Sequence, residues 1–422
     1  MAVRLDLNGL VAAAGGVEGL APGELGDLAP TLAEARVLLG ARRAAAGALS
    51  PRREVLRPVL DDAEAARADF DTLVVLGAGT LARAVHAVAA ALPAPADSGL
   101  RLVAADSVDP RSIHDLLGRL DLRRTLFDVV SRSGDTAETL AQFLIVRDRL
   151  LRDLGALDYK RHLIVTTDPE RGPLRQIVND EGFRALAIAS DLPSGLALLS
   201  PPGLFPAAAA GIDVEELLAG ATFMDARGQA AESPLGDPPL ALAGALVRLA
   251  ARRGGPRVEL RAFSDRLAAT GTWFRHLWGA SGDGDGAGAP LVLFLRLGDH
   301  GTAVDVPAAY QDLADVSYLG GHSLGELCNA QQRAAEAALA RRRHPSATVT
   351  LPALNPFTMG QLLHLLQMLV LARDCLAGTG PAAGGVDDRR RLVGGLLGRS
   401  GLEAERSQVE QWLAQKDPRL IL

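Results

Sequence analysis

Short apolar runs alternate along this chain with longer segments in which apolar and charged residues recur every three to four positions. These are the signatures of buried strands and amphipathic helices. Thr72-Leu-Val-Val-Leu76, Arg101–Ala105, Thr125–Val130, His162–Thr166 and Ala185–Ile188 read as strands. Helices are expected over Leu81–Leu92, from Asp109 and Pro110 through Ile113–Gly118, and over Ala137–Leu151. Strand followed by helix, repeated, predicts a parallel sheet covered on both faces, with ligands beyond the strand C-termini. Upstream, residues 1–30 are punctuated by Gly and Pro and read as irregular, before helices over Thr31–Ala46 and Arg53–Phe70.

The second half repeats the theme after a mostly helical stretch from Asp213 to Ala251. Val258–Phe263, Leu291–Leu295 and Ala347–Leu351 read as strands, and the acidic, Gly-rich segment Gly282–Gly288 as a loop. Met359–Cys375 reads as one long apolar helix, because Gly360 falls in its first turn, and two short helices close the chain. The fold class is therefore α/β, with two domains built on parallel sheets flanked by helices. The expected division is an N-terminal helical extension (1–50), a first α/β domain (51–212), a second with helical insertions (213–395) and a C-terminal helical tail (396–422).

Composition narrows the function classes. Fifty acidic residues against 44 basic ones give a net charge of −6, which offers no general attraction for nucleic acid. The short basic runs Arg252–Arg253, Arg341–Arg343 and Arg389–Arg391 read as solvated helix ends. Two cysteines, Cys328 and Cys375, make no disulfide scaffold. Apolar stretches are broken before about 18 residues, too short for a membrane span, and a cytoplasmic location is expected.

Candidate chemistry gathers at Ser131-Arg-Ser-Gly-Asp-Thr136, between a strand and a helix. Hydroxyls and free N–H groups there can face an anion at the helix N-terminus, with Arg132 adding charge. The same residues can equally be a turn and a cap; taken alone, the motif leaves both readings open. Gly77-Ala-Gly-Thr80 lacks the full G-x-G-x-x-G spacing because position 82 is Ala. No dinucleotide or other cofactor is expected, and the histidines show no metal spacing.

Several segments, in order, resemble the glucose-6-phosphate isomerase family, including the isomerase half of transaldolase–isomerase fusions. They are Asp106–Pro110, Leu120–Phe127, Ser131-Arg-Ser-Gly-Asp-Thr-Ala-Glu-Thr139, Thr167-Asp-Pro169, Leu199-Ser-Pro-Pro-Gly-Leu-Phe-Pro206 and, more loosely, Gly321-His-Ser-Leu-Gly-Glu326. The resemblance covers about residues 50–395. It implies two sugar-isomerase-type domains, a homodimer, and a sugar phosphate as ligand. It implies further that Thr80, Ser131, Arg132, Ser133 and Thr136 surround the phosphate. His322 matches the histidine associated with ring opening, and Arg390 approximately matches an active-site lysine.

The resemblance breaks where chemistry is expected. The family's Trp-x-x-Gln-Leu-x-x-Glu-Ser supplies a proton-shuttling glutamate, whereas Trp273–Ser281 places Ala280 there. Gly195 stands where a Gly-Gly-Arg pattern would put arginine, and no arginine lies from Ala187 to Gly211. A replacement base is sought at Glu326, Asp283 or Asp285; Glu326 lies four residues beyond His322, which puts both on one face if that segment is helical. Two functions follow: a phosphosugar isomerase interconverting glucose 6-phosphate and fructose 6-phosphate with a displaced base, or a catalytically degenerate phosphosugar sensor or regulatory binding protein.

Overall fold

The computed structural model describes residues 1–11, 19–45, 56–92, 99–190, 192, 194–253, 257–279, 290–378 and 384–416. Five strands form the first sheet: β2 (Thr72–Leu76), β3 (Arg101–Ala105), β4 (Thr125–Ser131), β5 (Leu163–Thr167) and β6 (Arg184–Ala187). All are parallel, in the order β3-β2-β4-β5-β6. The second sheet has the order β1-β9-β8-β7, with β7 (Val258–Ala262), β8 (Leu291–Asp299) and β9 (Ser346–Ala353) parallel. Its edge is β1 (Arg4–Asp6), antiparallel to β9. Val3-Arg-Leu-Asp-Leu7 alternates apolar and polar residues, but the run is short and lies in a segment punctuated by Gly and Pro, so β1 is absent from the sequence reading of residues 1–30; it is seen in its pairing with β9.

Among α-helices longer than four residues, α1 (Ala29–Ala45) and α2 (Leu56–Asp69) precede the first sheet. α3 (Thr80–Ala91), α4 (Pro110–Arg119), α5 (Ala137–Leu154), α6 (Pro173–Glu181) and α7 (Pro201–Ala209) alternate with or follow its strands. α8 (Val214–Gln229), α9 (Pro238–Arg253), α10 (Asp265–Gly279), α11 (Leu324–Arg341) and α12 (Pro356–Leu376) belong to the second half, before α13 (Gly384–Leu396) and α14 (Glu403–Ala414). The expected α/β class, parallel sheets flanked by helices, is what the chain adopts.

Successive strand residues face opposite sides of a sheet, and the two faces of the first sheet feed different cores. Val74, Leu76, Phe127, Val129 and Val165 pack with Leu117, Phe143, Val146 and Val178 from α4, α5 and α6. Leu73, Val75, Leu126 and Val130 face the other way, into a larger core with α2, α3 and α7. That core runs on without interruption to Leu293, Leu295, Val349 and Leu351 of the second sheet. α12, mostly apolar and buried from Thr358 to Cys375, is its central rod. α8 crosses it closely: a β-carbon on Gly220 would stand 1.8 Å from the Phe357 carbonyl oxygen. Asn355 caps α12 with Pro356 in its first turn, so Asn355-Pro-Phe357 is a helix start.

Candidate functional site

The first sheet reverses its winding between β2 and β4. The chain leaves β2 to form β3 on one side and later lays β4, β5 and β6 on the other. At such a switch point the exit loops diverge and open a crevice beyond the strand ends. Two helices begin there, α3 at Thr80 and α5 at Ala137, and the Ala78 N–H approaches Thr139 Oγ1 at 3.4 Å. The crevice lies against the second half of the molecule, because α10 packs along α3.

The loop after β4 is braced from within. The buried Ser131 hydroxyl accepts the Gly134 N–H at 3.1 Å and lies 3.1 Å from Thr136 Oγ1. Gly134 has φ +70°, a left-handed conformation that favours glycine. From β5, the Thr167 hydroxyl donates to the Ser131 carbonyl at 2.7 Å, and the Asp168 N–H reaches the Arg132 carbonyl at 3.2 Å. Thr136 occupies the cap position of α5, yet its side chain makes no capping bond. The hydroxyl set therefore shapes the loop and leaves the first turn of α5 without a side-chain cap, which counts against the simple capping reading.

Arginines surround this loop. Arg132 donates to the Ser190 carbonyl at 3.2 Å. Arg390, from α13, reaches Ser133 Oγ at 3.5 Å, and Arg399, just beyond α13, pairs with Asp135 at 3.2 Å. Burial of Asp135 pushes its carboxyl up, but bonds from Ser133 and Arg399 and the charges of Arg399 and Arg390 outweigh it and hold the group below its ordinary range. Sequence reasoning found Arg390 and missed Arg399, which lies outside every quoted motif and reaches the loop only through the fold of the C-terminal helices.

Thr80 sits where the two halves meet. A β-carbon on Gly195 would lie 3.3 Å from Thr80 Cγ2 and 2.8 Å from Leu277 Cδ1 on α10. A side chain at the position matched to an arginine would therefore meet the tip of the Leu277 side chain, which would have to turn aside to admit it. Next to Leu277, His276 is held below the ordinary histidine range by incomplete hydration, then by Arg83 and Arg275, with Arg389 adding to the effect and Asp106 opposing it. Its imidazole is therefore mostly uncharged at neutral pH. Arg83 itself pairs with Asp106 at 2.9 Å. His276 occupies the Gln position of the Trp-x-x-Gln-Leu pattern, the one signal by which sequence could have found it.

His322 and Glu326 are brought together but not to the loop. His322 Nδ1 lies 3.3 Å from Glu326 Oε2, both exposed. Glu326 also completes a capping box with Ser323 at the start of α11. The Ser323 N–H, then His322, hold its carboxyl below the usual range, which weakens it as a base. Among the described residues no hydrogen bond or ion pair joins either to Ser131–Thr136. Ala280, Asp283 and Asp285 lie outside the described residues.

Comparison with known proteins decides the lineage. The chain is 32% identical over 448 residues to glucose-6-phosphate isomerase of Rubrobacter xylanophilus, covering 95% of this chain and 99% of that one. Over 413 residues it is 32% identical to the Carboxydothermus hydrogenoformans enzyme of the same name, covering 87% of each. The chain belongs to the glucose-6-phosphate isomerase family. No family model matches it. Among solved structures, a hypothetical protein from Thermus thermophilus superposes with TM-score 0.81 at 30% identity, covering 94% of this chain and all of that one. A Chlamydia trachomatis glucose-6-phosphate isomerase shares the fold, at TM-score 0.69 and 19% identity over 86% of this chain and 76% of its own. Ala280 and Gly195 stand where the resemblance drawn from the sequence leads one to expect a glutamate and an arginine. The end of α10 is nevertheless held firmly. The buried Arg373 donates to the Trp278 carbonyl at 2.9 Å and stacks on its ring at 4.3 Å.

Proposed function

We propose that this protein binds a hexose 6-phosphate at the β2/β4 switch point, with the phosphoryl group held by Thr80, Ser131, Arg132, Ser133 and Thr136 and with Arg390 at the edge. The observation that carries this reading is the start of α5. A helix N-terminus favours an anion, and here the cap hydroxyl is turned into the loop instead of onto the helix. The ligand's sugar would then extend toward the seam between α3 and α10.

The reaction proposed for the site is aldose–ketose interconversion, of glucose 6-phosphate and fructose 6-phosphate, with the base displaced from position 280. A proton leaves the carbon beside the carbonyl and returns to the neighbouring carbon. A positioned base contributes about 10²–10⁴ in rate, so turnover well below that of an intact site is expected. A coupled assay together with deuterium exchange into the sugar tests this. No turnover and no exchange by concentrated protein that binds the sugar phosphate would refute it. The second reading, a regulatory phosphosugar-binding protein, is favoured by Ala280 and Gly195, where the resemblance expects a glutamate and an arginine. Saturable binding without exchange is its expected result.

A second copy of the chain is the partner proposed. The segment leading to His322 exposes Val304, Tyr310, Leu313, Val316, Tyr318 and Leu324 at 40% to 72%, an unusual concentration of apolar surface. Its two ends are pinned together, the Val306 N–H to the His322 carbonyl at 2.8 Å and the Leu324 N–H to the Val304 carbonyl at 2.9 Å. In a homodimer this excursion would cover its apolar side chains and carry His322 and Glu326 toward the neighbour's crevice. A charged metabolite as ligand accords with work in the cytoplasm.

A further inference from the structure

Asp135 is an acidic residue inside a loop otherwise built for an anion. Its carboxylate accepts from the Ser133 hydroxyl and pairs with Arg399 Nη1 at 3.2 Å. Arg390 Nη1 reaches the same Ser133 hydroxyl at 3.5 Å. The chain of contacts therefore runs from Arg390 to Ser133, to Asp135, to Arg399. Both arginines come from one braced unit. The turn after α13 folds back through Gly398, at φ +81°, with the Arg399 N–H on the Gly394 carbonyl at 2.9 Å. An ion pair between Arg391 and Glu405 ties α13 to α14.

Resting on the phosphosugar reading above, we infer that Asp135 is a built-in competitor for the phosphate site and Arg399 a further phosphate-binding residue, the two forming a latch that the ligand's phosphoryl group exchanges on binding. A phosphoryl group offers more negative charge and three acceptor oxygens where Asp135 offers one carboxylate, so it can take over both the Ser133 hydroxyl and the Arg399 guanidinium. The carboxylate then swings to solvent, which it already partly meets. The latch makes the loop selective for a dianionic group over a singly charged one, since only the stronger anion repays the lost ion pair. It also makes residues 384–416 part of the binding site.

Calorimetric titration of the full chain with 6-phosphogluconate and with inorganic phosphate, at about 50 mM salt, tests this. Asp135→Asn is expected to tighten both about ten-fold, and Asp135→Thr to act in the same direction. In the Asp135→Asn background, Arg399→Ala is expected to weaken both about ten-fold. Thermal melts followed by circular dichroism establish that each variant is folded. Wild-type binding with unchanged or weaker binding by both folded Asp135 variants overturns the latch and leaves the phosphosugar reading standing. A tightening by Asp135→Asn that survives undiminished when Arg399 is also replaced shows simple charge repulsion and removes Arg399 from the site. Absence of saturable binding by wild type and all variants overturns the phosphosugar reading, and the latch with it.

Discussion

Ser133 is the residue on which the loop's charges converge, between Arg390 and Asp135. A hydrogen bond to a charged group is worth about 1.5–3 kcal/mol, so Ser133→Ala should weaken phosphosugar binding by roughly 10- to 100-fold. Calorimetry against 6-phosphogluconate reads this directly. Asp128, earlier on the strand that leads into the loop, presents a different case. Fully buried on β4 and, among the described residues, with only the Thr166 hydroxyl as partner, at 2.6 Å, it is pushed up to about 7 by burial. An unfolded aspartate titrates near 3.9. Between about pH 4 and 7 the folded chain thus keeps a proton that the unfolded chain has lost, and stability falls by roughly 1.4 kcal/mol per pH unit as pH rises. Below that window and above it the group adds no slope. Asp128→Asn should flatten the slope and be the more stable form above pH 7; urea unfolding at pH 5 and pH 8 measures it. An unchanged difference between the two proteins at those pH values would show that Asp128 ionises normally. Nothing in the motif flags Asp128, because its burial is a property of the sheet.

Among the elements, strand and helix alternation through the first sheet was legible because each strand is a short apolar run and each helix has a polar face. β1 was not, since three residues become a strand only against β9. The start of α11 was read as a catalytic segment, and its local chemistry is that of a helix cap: the Ser323 hydroxyl accepts the Glu326 N–H at 3.1 Å and Glu326 accepts the Ser323 N–H at 2.8 Å. Removing such a cap costs about 1 kcal/mol. Ser323→Ala should lower unfolding stability by that amount, which urea unfolding measures; an unchanged stability would show that the cap contributes nothing. α10 shows the opposite relation between local and distant order. Its last turn before position 280 is fixed by Arg373 of α12, more than 90 residues away in sequence.

For the whole molecule, the continuous core from the first sheet to the second packs α10 along α3 and so sets Leu277 and Thr80 beside Gly195. The exposed apolar excursion before His322 belongs to the same scale. The 44.0 kDa chain should sediment at twice its own mass, and replacing Leu313 and Tyr318 together by Asp should return it to a monomer in analytical ultracentrifugation. A wild-type monomer at micromolar concentration would remove the proposed partner. The amino-acid sequence by itself determined the α/β class, the place of the loop Ser131–Thr136 and the absence of glutamate at position 280, because periodicity, turn residues and side-chain identity are local properties of the chain. Only the tertiary structure decided that Thr136 leaves α5 without a side-chain cap, that Gly195 lies against Leu277 and Thr80, and that Arg390 and Arg399 reach the loop. Those are distances between residues far apart in sequence, and they are set by how sheets and helices pack.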